Sequence, residues 1–223
     1  MSRRIITIDG PAGAGKGTVA KIVAKELQLI QLDSGALYRL LTLHFLQHFH
    51  TIGFEDQDIL VDALSAVSVS LNIENNKIRW FLNNAPVGSD IYSSEISLRT
   101  AHFSTLIPVR EKVNILLREL SMHHDIIIDG RDMGSVVFPH ATLKIYLDAD
   151  ATIRAERRLK QLLAKGETAT YNEVLAQTIE RDTLDKNKEF GALKVPEGAY
   201  LIDSSYLTIE DTAEKIITLY KQL

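Results

Sequence analysis

The sequence predicts an α/β fold in three layers: a five-stranded parallel sheet covered by helices on both faces, interrupted by a small α+β insertion. Three observations carry that expectation. Short apolar runs stopping at an aspartate recur at residues 5–8, 29–32, 126–128, 143–147 and 200–202, ahead of Asp9, Asp33, Asp129, Asp148 and Asp203. Stretches with helical spacing separate most of these runs, an alternation that buries both faces of a parallel sheet. The interval 59–103 breaks the rhythm with residues that alternate as in a hairpin.

Taken in order, Ile5, Ile6, Thr7 and Ile8 form a β-branched run that ends in the turn pair Asp9-Gly10. Val19, Ile22, Val23 and Leu27 then keep helical spacing over residues 16–27. Residues 29–32 make the second strand, and Asp33-Ser34-Gly35 opens a helix that runs to about residue 49. Residues 67–73 alternate, Asn75-Asn76 signals a turn, and residues 77–82 alternate again, with helix on either side. Trp80 and Phe81 fill the small core of this insertion. Further helices are expected over 108–122, 151–165, 172–185 and 209–223. The core is therefore expected to span 1–58 and 104–223, with 59–103 inserted between its second and third strands.

Composition narrows the function classes. At 223 residues, with 45% apolar and 24% charged, the chain fits one core domain carrying an insertion. A net charge of −4 supplies no cationic field, so no nucleic acid is expected as partner. The absence of cysteine removes disulfides, thiolate metal sites and cysteine nucleophiles. The start, Met-Ser-Arg-Arg, enters the first strand at once, and no apolar run reaches about 18 residues, so neither a signal-peptide core nor a membrane span is expected. A cytoplasmic location follows as the expectation.

Between the first strand and its helix lie Gly10, Pro11, Ala12, Gly13, Ala14, Gly15, Lys16, Gly17 and Thr18. Glycines let backbone amides turn inward around phosphates, the helix adds its positive end, and Lys16 a point charge near the β and γ phosphates. These residues are expected to bind ATP, in a P-loop kinase fold. The general pattern places Ser or Thr directly after the lysine, but here Gly17 intervenes and Thr18 follows. Gly-Lys-Gly-Thr resembles the nucleoside monophosphate kinases, in which Mg2+ is held largely through water and substrate phosphates, with Thr18 a candidate contact.

Asp33, Ser34, Tyr38 and Arg39 sit at the carboxyl end of the second strand, where open α/β sheets bind ligands. Ser34, Tyr38 and Arg39 could hold an acceptor phosphate; alternatively, Asp33 or Ser34 only caps a helix. After the third core strand comes Asp129-Gly130-Arg131-Asp132-Met133-Gly134. His44 and His48 have i, i+4 spacing but no acidic neighbour that completes a metal motif, and read as surface histidines.

With the phosphate loop, the Leu-Asp-Ser-Gly segment ending in Tyr-Arg, and the Asp-Gly-Arg-Asp-Met-Gly string in that order, the chain resembles the bacterial cytidylate kinases from about residue 5 to its end. The resemblance implies an inserted monophosphate-binding subdomain, a short helical lid at about 150–170, and transfer of the ATP γ-phosphoryl group to CMP or dCMP by a monomer. It places Asp132 and Arg110 at the cytosine edge, Asp185 at the ribose hydroxyls, and Ser34, Arg39 and Arg131 at the acceptor phosphate or ribose, with Lys188 beside them. A carboxylate accepting from the exocyclic amine separates cytosine from uracil, which offers an acceptor there. The bland alternatives are a turn aspartate at Asp132 and a solvated arginine at Arg110.

Arg157 and Arg181 are assigned by the same resemblance to the charge that develops on the transferring phosphoryl group, and Arg131 shares in it. Arg154 and Arg158 read as a solvated helix face. No general base is required, because a phosphate oxygen is already a nucleophile at neutral pH. Asp129 is the first candidate for orienting magnesium-bound water, and Asp33 the second. The chain departs from the family at three places: Lys188 where arginine is usual, the pair Tyr92-Ser93 where Arg-Thr is frequent, and Ala101 where a base-contacting serine is frequent. They put acceptor selectivity in question and leave a UMP-accepting or broader kinase open. A nucleotide-binding regulatory protein is the rival from another class, but the Asn-Lys-x-Asp string expected of a GTPase is absent.

Overall fold

The computed structural model describes residues 3–48, 57–74 and 77–223. In chain order the elements are β1 (Ile5–Asp9), α1 (Lys16–Leu27), β2 (Ile30–Leu32), α2 (Ser34–His48), α3 (Gln57–Ser65), β3 (Val69–Glu74), β4 (Lys77–Leu82), β5 (Ala85–Pro86), a 3₁₀ turn (Ser89–Tyr92), α4 (Ser94–Phe103), α5 (Ile107–His123), β6 (Ile126–Gly130), a π-helical turn (Met133–Val137), β7 (Leu143–Asp148), α6 (Ala151–Ala164), α7 (Tyr171–Asn187), β8 (Tyr200–Asp203) and α8 (Ile209–Lys221). The expected turn Asn75-Asn76 and residue 49 lie outside the described residues. Two compact units result, Met1–Leu32 with His124–Leu223, and Asp33–His123.

The first unit holds the expected five-stranded sheet, ordered β2-β6-β1-β7-β8. All its pairings are parallel, with Ile6 opposite Ile127 on one side and Leu143 on the other. Parallel strands leave a sheet along one edge, so the segments after β1, β6, β7 and β8 emerge together there. β1 is central, and its apolar side chains Ile6 and Ile8 are fully buried. They pack with Val19, Ala20 and Val23 of α1, with Ile145 and Leu147 of β7, and with Ala213 and Ile216 of α8. The second strand starts at Ile30 rather than 29 because Gln28, at φ 54, ends α1 in the left-handed region, and the Leu29 N–H still bonds back to the Ala24 carbonyl.

α6 and α7 pack on each other through Ala155, Leu162 and Val174. A reciprocal capping box starts α7: the Thr170 hydroxyl accepts from the Glu173 N–H, and the Glu173 carboxylate accepts from the Thr170 N–H. The same device, with Thr208 and Asp211, starts α8.

In the second unit, α2 packs on α4 and α5, and an antiparallel sheet runs β3-β4-β5. Trp80, opposite Leu71, is 6% exposed and fills that core as expected. Phe81, expected beside it in the core, is only half-buried because alternation turns it to the other face. His44 corrects the expectation of a surface histidine. It is 7% exposed, on the same helix face as Leu40, Leu41 and Phe45, and burial lowers its pKa, so the imidazole is a neutral part of the core. His48 is exposed, as expected.

Candidate active site

β1 runs into the loop 10–15, which the backbone makes possible only with glycine at its start. Gly10 has φ +149, and a Cβ there would lie 2.0 Å from the Leu147 carbonyl oxygen. Gly15, in the left-handed region at φ 89, precedes α1, and no side chain among the described residues caps it. The first amides of the helix are therefore available to an anion. Lys16, the first residue of α1, is 6% exposed, and its Nζ donates to the Pro11 carbonyl across the loop at 2.7 Å. Burial, with the Arg131 charge, pulls its pKa down to about 7, against the pull of Asp129, Asp9 and Asp185. A cation held this way lacks a full counter-charge, which a polyphosphate supplies.

Asp9 ends β1 fully buried. Its two carboxylate oxygens accept from the backbone N–H groups of Met133 and Gly134 at 2.8 and 2.7 Å. Burial raises its pKa to about 6 despite those two donors, and Asp132 adds to the rise. The strand that feeds the phosphate loop thus also anchors the turn after β6. That turn carries Arg131, half-buried, and Asp132, 2% exposed. Arg131 donates through Nε to Asp185 Oδ2 at 2.7 Å, and Lys188 Nζ reaches the other oxygen at 2.6 Å. Burial works against the Asp185 charge, but these two donors outweigh it and hold its pKa below the ordinary value. Lys188, the residue that closes α7, thus makes a single-point contact with Asp185.

Arg154 corrects the expectation of a solvated residue. It is 4% exposed and paired with Asp182 of α7, because the fourth position of α6 faces inward beside Ala155. Arg158 is exposed, as expected, and Arg181 is exposed on α7. Arg157 donates through Nη2 to the Ser204 carbonyl at 2.6 Å, beyond the end of β8.

Within the second unit, Asp33 Oδ1 accepts from the Gly35 N–H at 2.8 Å as α2 begins, which is a capping contact. Ser34 and Arg110 are half-buried, at the starts of α2 and α5. Arg39 donates to the Ile91 carbonyl at 3.1 Å and to Ser97 Oγ at 2.7 Å, and its guanidinium lies 5.4 Å from the Tyr92 ring centroid. Ala101 is exposed on α4. Sequence reasoning missed Asp9, Ser97 and Asp182 as partners. Asp9 alone had a local signal, a carboxylate closing an apolar strand.

The residues fit a magnesium ion held mainly through water. Among the described residues no group of three or more His, Asp or Glu side chains could hold a metal by itself. Asp129 presents both carboxylate oxygens to α1, 3.6 and 3.7 Å from where a Cβ on Gly17 would be, next to Thr18. One carboxylate and one hydroxyl suit a hard ion that keeps most of its water shell.

The family profile described as cytidylate kinase matches residues 6–222. A cytidylate kinase of Thermosipho melanesiensis is 36% identical over 217 residues, covering 97% of this chain and 96% of its own. One from Carboxydothermus hydrogenoformans is 38% identical over 214 residues, covering 96% of each. A crystal structure of an uncharacterised protein from Eubacterium ventriosum matches with a TM-score of 0.50 at 14% identity, over 99% of this chain and 100% of that one, a likeness of fold alone. No helix among the described residues is long and apolar enough to cross a membrane. On the profile match and these near-full-length relatives, the chain belongs to the cytidylate kinase family.

Proposed function

We propose that this chain moves the γ-phosphoryl group of ATP onto CMP or dCMP, giving ADP and CDP or dCDP. The observation that supports this most is the buried Lys16 in a glycine loop whose strand also anchors, through Asp9, the Arg131–Asp132 turn. Relatives named cytidylate kinase over nearly the full length support the choice of acceptor.

An oxygen of the acceptor phosphate attacks Pγ in line, the bond to the β–γ bridging oxygen breaks, and ADP leaves with the electron pair. The protein's part is alignment and charge neutralisation. Residues 10–18 hold the ATP phosphates, with Lys16 at the β and γ groups. Asp132 and Arg110 read the cytosine edge, and Asp185 the ribose. Ser34, Arg39, Arg131 and Lys188 hold the acceptor, while Arg157 and Arg181 join Arg131 on the transferring group. Thr18, Asp129 and Asp33 would hold Mg2+ through water, and the ion would neutralise charge on the β and γ oxygens. We place the activity in the cytoplasm, in a monomer acting on free nucleotides.

The test is ADP release from ATP and magnesium in the presence of CMP, dCMP, UMP, AMP or GMP. CMP and dCMP are expected to give the highest kcat/KM, with UMP well below. ADP release no faster with any acceptor than with none would end the kinase reading; UMP equal to CMP would end the cytosine assignment.

A further inference from the structure

One buried guanidinium joins three segments that the transfer scheme treats separately. Arg154 Nε donates to the Ala149 carbonyl after β7 at 2.8 Å, and Nη1 to the Ala12 carbonyl of the phosphate loop at 3.0 Å. Nη1 also reaches Asp182 Oδ1 of α7 at 3.0 Å, and Nη2 the second oxygen of the same carboxylate. The aliphatic stem packs on the loop as well, its Cβ 3.3 Å from where a Cβ on Gly13 would sit.

The consequence for the loop follows from peptide geometry. In a planar trans peptide the carbonyl oxygen and the next N–H point in opposite directions. By gripping the Ala12 oxygen, Arg154 turns the Gly13 N–H away from itself. The fork is planar and rigid, so the same group fixes the direction from which Asp182 approaches. Asp182 lies next to Arg181, and three residues before Asp185, on the same helical face. Asp185 in turn holds Arg131 and Lys188. Two arginine–aspartate pairs therefore fix α7: one reaches the phosphate loop and the other the turn after β6.

We propose that Arg154 is a positioning residue, which aims the Gly13 N–H at the phosphates of ATP and ties that aim, through Asp182, to the helix carrying Arg181 and Asp185. The inference rests on the kinase reading. It makes the donor loop and the acceptor-side carboxylate parts of one hydrogen-bonded frame. A lysine at 154 would keep the charge but could not reach Ala12, Ala149 and Asp182 together in one plane.

Arg154→Lys and Asp182→Asn should be assayed with the wild-type protein, at a temperature where circular dichroism shows each fully folded. For Arg154→Lys, kcat/KM for ATP should fall by about tenfold or more, as expected when a misaligned frame displaces reacting groups. KM for CMP should rise with it, the shift of the Gly13 amide resonance on adding ATP should shrink, and Asp182→Asn should do the same to a lesser degree. A purely structural role predicts a lower melting temperature with kcat, both KM values and the Gly13 shift unmoved, and that result in Arg154→Lys would overturn the proposal. Should Arg154→Lys not fold, the near-isosteric Asp182→Asn decides on the same readings. An inactive wild type would instead count against the kinase reading, so the two failures are told apart.

Discussion

Asp9 shows how much one side chain is asked to do. Its charge would balance Lys16 and accept from two amides, yet the site buries it fully, and burial prevails, raising its pKa from 3.8 to about 6. Where the folded pKa lies above the unfolded one, the native state keeps a proton that the unfolded chain has released. The stability this group contributes is full below pH 4 and is lost as pH rises through about 6. Asp9→Asn removes the titration. In the ligand-free protein, the unfolding free energy of the wild type relative to Asp9→Asn should fall by about 2 kcal/mol between pH 4 and 7, given about 1.4 kcal/mol per pKa unit. Urea unfolding at several pH values measures it, and a difference independent of pH would contradict this reading of Asp9. The faces toward Asp9 include a like charge, Asp132, and an opposite one, Lys16. The buried His44 and Arg154 make a related point at this scale: each belongs to a polar type usually placed in water, and neither burial is visible locally. The partner that keeps Arg154 inside lies 28 residues away on another helix.

Elements were far easier to read than their polar contents. The strands of the main sheet are apolar runs closed by aspartates, and their limits are read to within about two residues because the hydrophobic run and the breaker coincide. The hairpin is legible from alternation, which also places Trp80 inside. The π-helical turn 133–137 is not legible, because a carboxylate 124 residues earlier fixes it by accepting from the Met133 N–H. α7 depends on its start, where Thr170 and Glu173 satisfy amides reciprocally on an exposed end. Thr170→Ala should lower unfolding stability by about 1 kcal/mol, the usual cost of losing a helix cap. Chemical denaturation measures this change, and stability equal to wild type would show that α7 gains nothing from the cap.

At the scale of the molecule, the glycine loop and the Asp-Gly-Arg-Asp string were legible as nucleotide-binding features because they pack many constraints into consecutive residues. Asp182 and Ser97 were not, since each acts on a group far away in the chain and leaves no pattern in sequence; for Asp9 the strand-closing carboxylate was visible, but not the distant amides it accepts from. What the loop and the string cannot define by themselves is the direction of transfer. The most direct measurement uses ATP labelled at its γ phosphorus with CMP and magnesium, followed by chromatographic separation of the nucleotides. Label recovered in CDP, with ADP formed in equal amount and both lost on removing magnesium with a chelator, is the predicted result. Label remaining in ATP, or released as inorganic phosphate with no CDP, would contradict the account.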